Sequence, residues 1–150
     1  MKHIARIIII LFLSVGFLLP SCSDNDDVWN SIPKEITEFI NQYFPFSQAE
    51  SCTETPTGWH IRLKNGPGMT FDKDYSWQSV NGYGMPLPQV LLFDQLPPQL
   101  YKYLEETSNL NDVFSMERTR GYYTLMLLDS TVNYDANSSQ FTVSDSGKTE

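Results

Sequence analysis

Cysteine, histidine and basic side chains are all scarce in this chain: two Cys, two His and 10 Lys plus Arg, against 18 Asp plus Glu, in 150 residues. A formal net charge of −8 argues against nucleic acid as a partner, because phosphate binding needs a clustered basic face. The same acidity argues against electrostatic docking on anionic lipid. No glycine-rich phosphate loop and no G-x-S-x-G nucleophile elbow occurs anywhere in the sequence. The longest apolar run, Ile7 to Leu19 with Ser14 and Gly16 inside it, falls short of the roughly 20 residues that span a bilayer.

What that run does fit is a secretory signal. Lys2 and Arg6 precede it with no acidic residue nearby, and Ser21 is a small residue ahead of a cut. Leu19-Pro20-Ser21-Cys22 resembles a lipobox, which implies that Cys22 is acylated and becomes the N-terminus. Acyl chains contribute roughly 0.8 kcal/mol per buried methylene, so several on one cysteine hold a small domain to a membrane. Residues 1–21 are thus expected to be the signal peptide and residues 22–30 an acidic, solvated tether. Ser23-Asp24-Asn25-Asp26-Asp27 also resembles a surface-export signal, so the address is the cell envelope, lipid-anchored to the outer membrane on its periplasmic side or at the cell surface.

Loss of the leader removes Lys2, Arg6 and His3, which makes the chain more acidic by two charges and leaves His60 as the last histidine. A metal site built on clustered histidines is then unavailable to it. Cys52 becomes the single free thiol, and no intrachain disulfide can form. The fold has to rest on apolar burial, for which nine Phe, eight Tyr and three Trp supply large areas.

A repeat organises the remainder. Ile32-Pro33-Lys34-Glu35-Ile36-Thr37-Glu38-Phe39-Ile40 lies over Leu96-Pro97-Pro98-Gln99-Leu100-Tyr101-Lys102-Tyr103-Leu104 with every apolar position matched. The same offset pairs Ala49 with Val113, Cys52 with Met116, Trp59 with Tyr123, Ile61 with Leu125 and Leu63 with Leu127. One residue less then pairs Met69 with Val132, Phe71 with Tyr134 and Asp72 with Asp135. Each copy reads as a helix followed by two strands. Ile32, Ile36, Phe39, Ile40 and Tyr43 form one helical stripe, with Ser31 as its expected cap and Asp94 as the cap of the second helix. Trp59, Ile61 and Leu63 alternate with His60, Arg62 and Lys64, the pattern of a half-buried strand. The fold class expected is α+β: duplicated α-β-β units forming an antiparallel sheet with the helices packed on one face. Residues 31–144 form the domain, with repeat one at about 31–82, a docking connector at 83–94, repeat two at about 95–144 and a tail at 145–150.

Ile32-Pro33, Phe39-Ile40, Tyr43-Phe44-Pro45, Gly58 through Gly66, Phe71-Asp72, Trp77 and Val80-Asn81-Gly82 together resemble the PepSY-like domain family. The resemblance spans roughly Ile32 to Val143. It implies an envelope protein of Gram-negative bacteria, similar in fold to beta-lactamase inhibitor protein and non-enzymatic, which binds a protein partner as a regulator or inhibitor. The second copy departs from the pattern, with Leu128-Asp129-Ser130-Thr131 at the turn and Gln140-Phe141 where a Trp is expected.

Four groups of residues compete for function. Asp72-Lys73-Asp74-Tyr75-Ser76 opens like a calcium loop, and Asp135-Ala136-Asn137-Ser138-Ser139 repeats the motif. Calcium takes six to eight oxygens, and position six is Trp77 or Gln140 where glycine belongs. A polar turn in which Asp caps its own backbone explains the same residues, so Asp72, Asp74, Asp135 and Asn137 are weak calcium ligands at most. Cys52 and His60 belong to opposite faces of the pattern and read as a buried inert thiol and an exposed imidazole. Glu105-Glu106 reads as solvated helix surface. Among the aromatics, Trp59, Phe71, Tyr123 and Tyr134 belong to the core, whereas Tyr75, Trp77 and Tyr122 fall outside the core pattern and mark a possible partner surface. No catalytic residues, no cofactor and no enzyme activity are expected. The alternative is a calcium- or small-ligand-sensing domain.

The anchor is the sharpest of these expectations. Palmitate supplied to expressing cells labels the wild-type chain, and Cys22→Ala abolishes the label; equal labelling of the variant refutes the lipid site.

Overall fold

A computed structural model describes residues 24–145. The signal peptide, Cys22 and residues 146–150 lie outside the described residues. Within them the chain forms α1 (Asp24–Ser31), α2 (Lys34–Tyr43), β1 (Ala49–Thr55), β2 (Gly58–Leu63), β3 (Gly68–Asp72), β4 (Trp77–Asn81), α3 (Gln89–Gln95), α4 (Pro98–Glu106), β5 (Val113–Thr119), β6 (Tyr122–Leu127), β7 (Ser130–Asp135) and β8 (Gln140–Asp145).

The eight strands pair in chain order, all antiparallel, as one sheet. This overturns the α+β expectation of duplicated α-β-β units with helices on one sheet face. The body is β-rich, and its helices are short, seven to ten residues each. The segments between each helix and its first expected strand, to which the α-β-β reading assigns no element, are strands themselves, β1 and β5. Their alternation is hidden in the sequence because each carries a register shift, between Ala49 and Ser51 in β1 and between Val113 and Ser115 in β5. β8 is exposed at every residue and owes its strand form to the ladder with β7. Helix plus four strands therefore occurs twice in the element order. Cys52 faces Ile61 and Ile61 faces Met69 in the first half; Met116 faces Leu125 and Leu125 faces Val132 in the second.

Alternation divides the sheet into a dry and a wet face. Ile61, Met69, Val80, Met116, Leu125 and Val132 form one cross-strand row of buried side chains. Ile36, Ile40 and Tyr43 of α2, Leu91 and Leu92 of α3, and Leu100 and Leu104 of α4 complete the core. Phe39 meets the Phe71 ring edge-on at 5.3 Å.

A polar cluster ties α3 to α2 and β4 of the first half. The Tyr43 hydroxyl donates to Asp94 Oδ2 at 3.2 Å and accepts from Gln95 Nε2 at 2.6 Å, while Trp77 Nε1 donates to Gln95 Oε1 at 2.8 Å. Burial, followed by the bond from Gln95 in the opposite sense, leaves the Tyr43 pKa raised above its ordinary value. Asp94 is thus a member of α3 that receives these bonds and is no cap for α4. The helix caps are Pro33 and Pro97, with no side-chain cap bond at either, and Ser31 ends α1, donating to the Val28 carbonyl. α1 also corrects the expected tether: residues from Asp24 onward are helical, and Val28 and Trp29 pack against the core. These two apolar residues give the acidic segment something to bury.

β5 and β6 are joined by Arg120 and Gly121, which take consecutive positive φ values of 50° and 88°. Two such residues match the twist of the flanking strands in a two-residue hairpin.

Replacing Leu100 by Ala should remove about 2–5 kcal/mol of stability in denaturant titrations, the cost of a cavity at a fully buried leucine. Tyr43→Phe should cost about 1 kcal/mol, because Gln95 and Asp94 lose a shared partner.

Candidate functional site

The wet face carries a continuous row through all eight strands: Thr53, His60, Thr70, Ser79, Glu117, Thr124, Asn133 and Thr142. Every member is polar because each points away from the core. Neighbours bond along the row, Thr70 Oγ1 with Ser79 Oγ at 2.7 Å and Thr124 Oγ1 donating to Asn133 Oδ1 at 2.9 Å. Its two titratable members, His60 and Glu117, are three strands apart, roughly 14 Å at the usual strand spacing. That separation is too great for a shared proton.

Two hollows interrupt this face. The first, about 320 Å3, is lined by Thr53, His60, Arg62, Thr70, Ser79, Asn81, Glu117 and Tyr83. Tyr83 reaches it from the turn after β4, where its backbone nitrogen donates to Asn81 Oδ1 and its φ is 50°. The ring lies on Gly68, where an added Cβ would meet the tyrosine hydroxyl at 2.6 Å. The Arg62 guanidinium stacks over the ring at 4.1 Å and its Nε donates to Glu50 Oε2 at 3.2 Å. The second hollow, about 400 Å3, is lined by Tyr122, Thr124, Asn133, Asp135, Gln140 and Thr142.

Tyr122, 58% exposed, stands in that second hollow opposite Asp135. Tyr75 is exposed in the turn between β3 and β4, at the sheet end that also carries the β5–β6 and β7–β8 turns. Trp77 does not join them. It is 3% exposed on the core face, held by Gln95 and covered by the Arg118 guanidinium at 4.4 Å, and Arg118 Nε donates to its carbonyl. A register shift between Thr70 and Phe71 brings Trp77 opposite Phe71, and this turns the indole inward. Arg62 and Tyr83, the aromatic–cation pair of the first hollow, have no sequence signal, since their contact joins a strand to a distant turn.

The two calcium-like turns are closed by their own atoms. Asp72 Oδ1 accepts from the backbone of Asp74 and Ser76, and Oδ2 from Gln78 Nε2. Asp135 Oδ1 accepts from the backbone and side chain of Asn137, and Oδ2 from Ser138. Among the described residues no group of three or more His, Cys, Asp or Glu is placed to hold a metal ion. Cys52 is half-buried with its pKa raised, chiefly by burial, and Thr53 rather than Cys52 shares the face of His60.

No family model and no curated protein matches the chain. Solved structures do. A protein of unknown function from Bacteroides vulgatus, described as periplasmic, has a TM-score of 0.64 at 20% identity over 77% of this chain and 94% of its own. A second periplasmic-described protein of that organism, from the DUF2874 family, gives 0.61 at 22% over 78% and 91%. One from Bacteroides thetaiotaomicron, described as periplasmic and calcium-regulated, gives 0.63 at 21% over 77% and 92%. The chain shares their fold.

The hydroxyl of Ser138 leads the bonds that hold the Asp135 pKa below its ordinary 3.8. A folded-state pKa that is depressed stabilises above the unfolded value and loses that contribution as pH falls through the folded one. Thermal melts of wild type and Asp135→Ala should therefore differ at neutral pH and converge under acid; a gap that is independent of pH refutes this role.

Proposed function

We propose that the chain is a non-enzymatic envelope lipoprotein of the PepSY-like kind, anchored through Cys22, whose wet sheet face binds a protein partner as a regulator or inhibitor. The observation that carries this reading is the open face itself: eight strands wide, polar throughout its central row, and set with exposed tyrosines at Tyr83 and Tyr122. Tyrosine joins a large apolar ring to a hydroxyl, which suits it to protein interfaces. The descriptions of the structural neighbours as periplasmic support the compartment. The repeated helix-plus-four-strand order, with bulges at Ala49/Ser51 and Val113/Ser115, supports a duplicated unit.

A second reading, calcium sensing, draws on one neighbour's description as calcium-regulated and on the Asp72 and Asp135 turns lying at one end of the sheet. In that reading the ion adds to turns that already close without it.

Pull-down from detergent-solubilised envelopes separates the two. Partner binding gives a stoichiometric protein that Tyr122→Ala and Tyr83→Ala release. Sensing gives no such protein, with calorimetric heat and a raised melting temperature in millimolar calcium.

A further inference from the structure

An open sheet has two edges, and the two edges of this one are treated differently. β1 is guarded: its ladder is bulged between Ala49 and Ser51, it carries Glu50 and Glu54, and α1 packs beside it. All three features obstruct strand addition. β8 has neither a bulge nor an acidic residue within its length before Asp145, its last residue. It pairs with β7 without a register shift from Gln140 to Asp145, contains no proline or basic residue, and is exposed along its whole length. Phe141 and Val143 remain 36% and 49% exposed on the side that continues the core row. Tyr103 of α4 stacks on the Phe141 ring at 4.9 Å, while among the described residues no strand pairs with the outer edge of β8.

We propose that β8 is a self-pairing edge, which joins two copies of this chain antiparallel about a two-fold axis through Thr142. The register follows from side-chain chemistry. With Thr142 opposite its own copy, Phe141 falls opposite Val143 twice, and Gln140 falls opposite Ser144 twice. Same-face partners then match, apolar with apolar and polar with polar. Charge selects the occupant as well. From Ala136 to Ser144 the chain has no ionised side chain, so two strongly acidic molecules meet there without like-charge contact. In this register Asp145 opposes Ser139 and stays clear of its symmetry mate. Pairing β8 with β1 would place it against Glu50, Glu54 and a bulge, and would propagate as a filament; the two-fold arrangement closes. Each wet-face row would then run on into the partner's through Thr142.

Thr142→Cys tests the register directly. Directly opposed residues in an antiparallel pair have Cα atoms about 4.5–5.5 Å apart, within disulfide reach. In the full chain purified in detergent, with Cys52 present throughout as the background, mild oxidation should give a covalent dimer from Thr142→Cys and none from Gln140→Cys. Light scattering should show a mass twice that of the monomer, which Val143→Lys returns to the monomer. Circular dichroism unchanged in Val143→Lys shows that the loss is not unfolding, since the site is exposed. A monomeric wild type, a dimer indifferent to Val143→Lys, or equal cross-linking of both cysteine variants overturns the proposal. Capture of another protein's strand by a chain that is monomeric alone counts as the first of these.

Discussion

A single antiparallel sheet in chain order must bury one face, since its strands otherwise leave apolar rows in water. Everything else in the molecule follows from how that face is covered. The row from Ile61 to Val132 shares one buried cluster with side chains of α2, α3 and α4, none of these helices long enough to be stable alone. The connector between β4 and β5 is drawn into the same core through Leu87, Leu91 and Leu92, and the Tyr43–Gln95–Trp77 bonds fix its position.

Covering one face leaves the other exposed to water. The wet face sets His60 and Glu117 three strands apart. It has hydroxyls and amides that bond to one another along the strands, and hollows edged by tyrosines. Such a surface is suited to recognition: its groups are held in place by the ladder, so they need little ordering when a partner arrives. The Asp72 and Asp135 turns belong to the same logic, because each carboxylate locks a hairpin at the end of this face.

Several of these features were readable from residues alone. The stripe of Ile36 and Ile40, the alternation of Ile61 and Leu63, and the matching positions in the second half all lie where local periodicity places them, and each is buried. Other features were hidden for definable reasons. β1 and β5 carry bulges, and a bulge shifts side-chain alternation by one so that the period-two pattern disappears. Period-two alternation alone therefore yields a smaller sheet with more prominent helices than the eight-stranded one formed. Trp77 was misplaced through the same device, a shift at Thr70/Phe71 that turns it to the core. Asp24 to Asp27 looked like a free tether because burial of Val28 and Trp29 depends on a surface elsewhere in the chain.

By itself the sequence determined what each residue prefers locally: which positions are apolar, where turns close on Asp, and how acidic the molecule is. Those are properties of neighbours in the chain. Only the tertiary structure decided which strands pair, which face Trp77 takes, how Tyr83 comes to lie between Arg62 and Gly68, and that β8 is the last strand of the sheet. Each of these depends on register between segments far apart, and register is set by the sum of many cross-strand contacts that no single stretch of sequence contains.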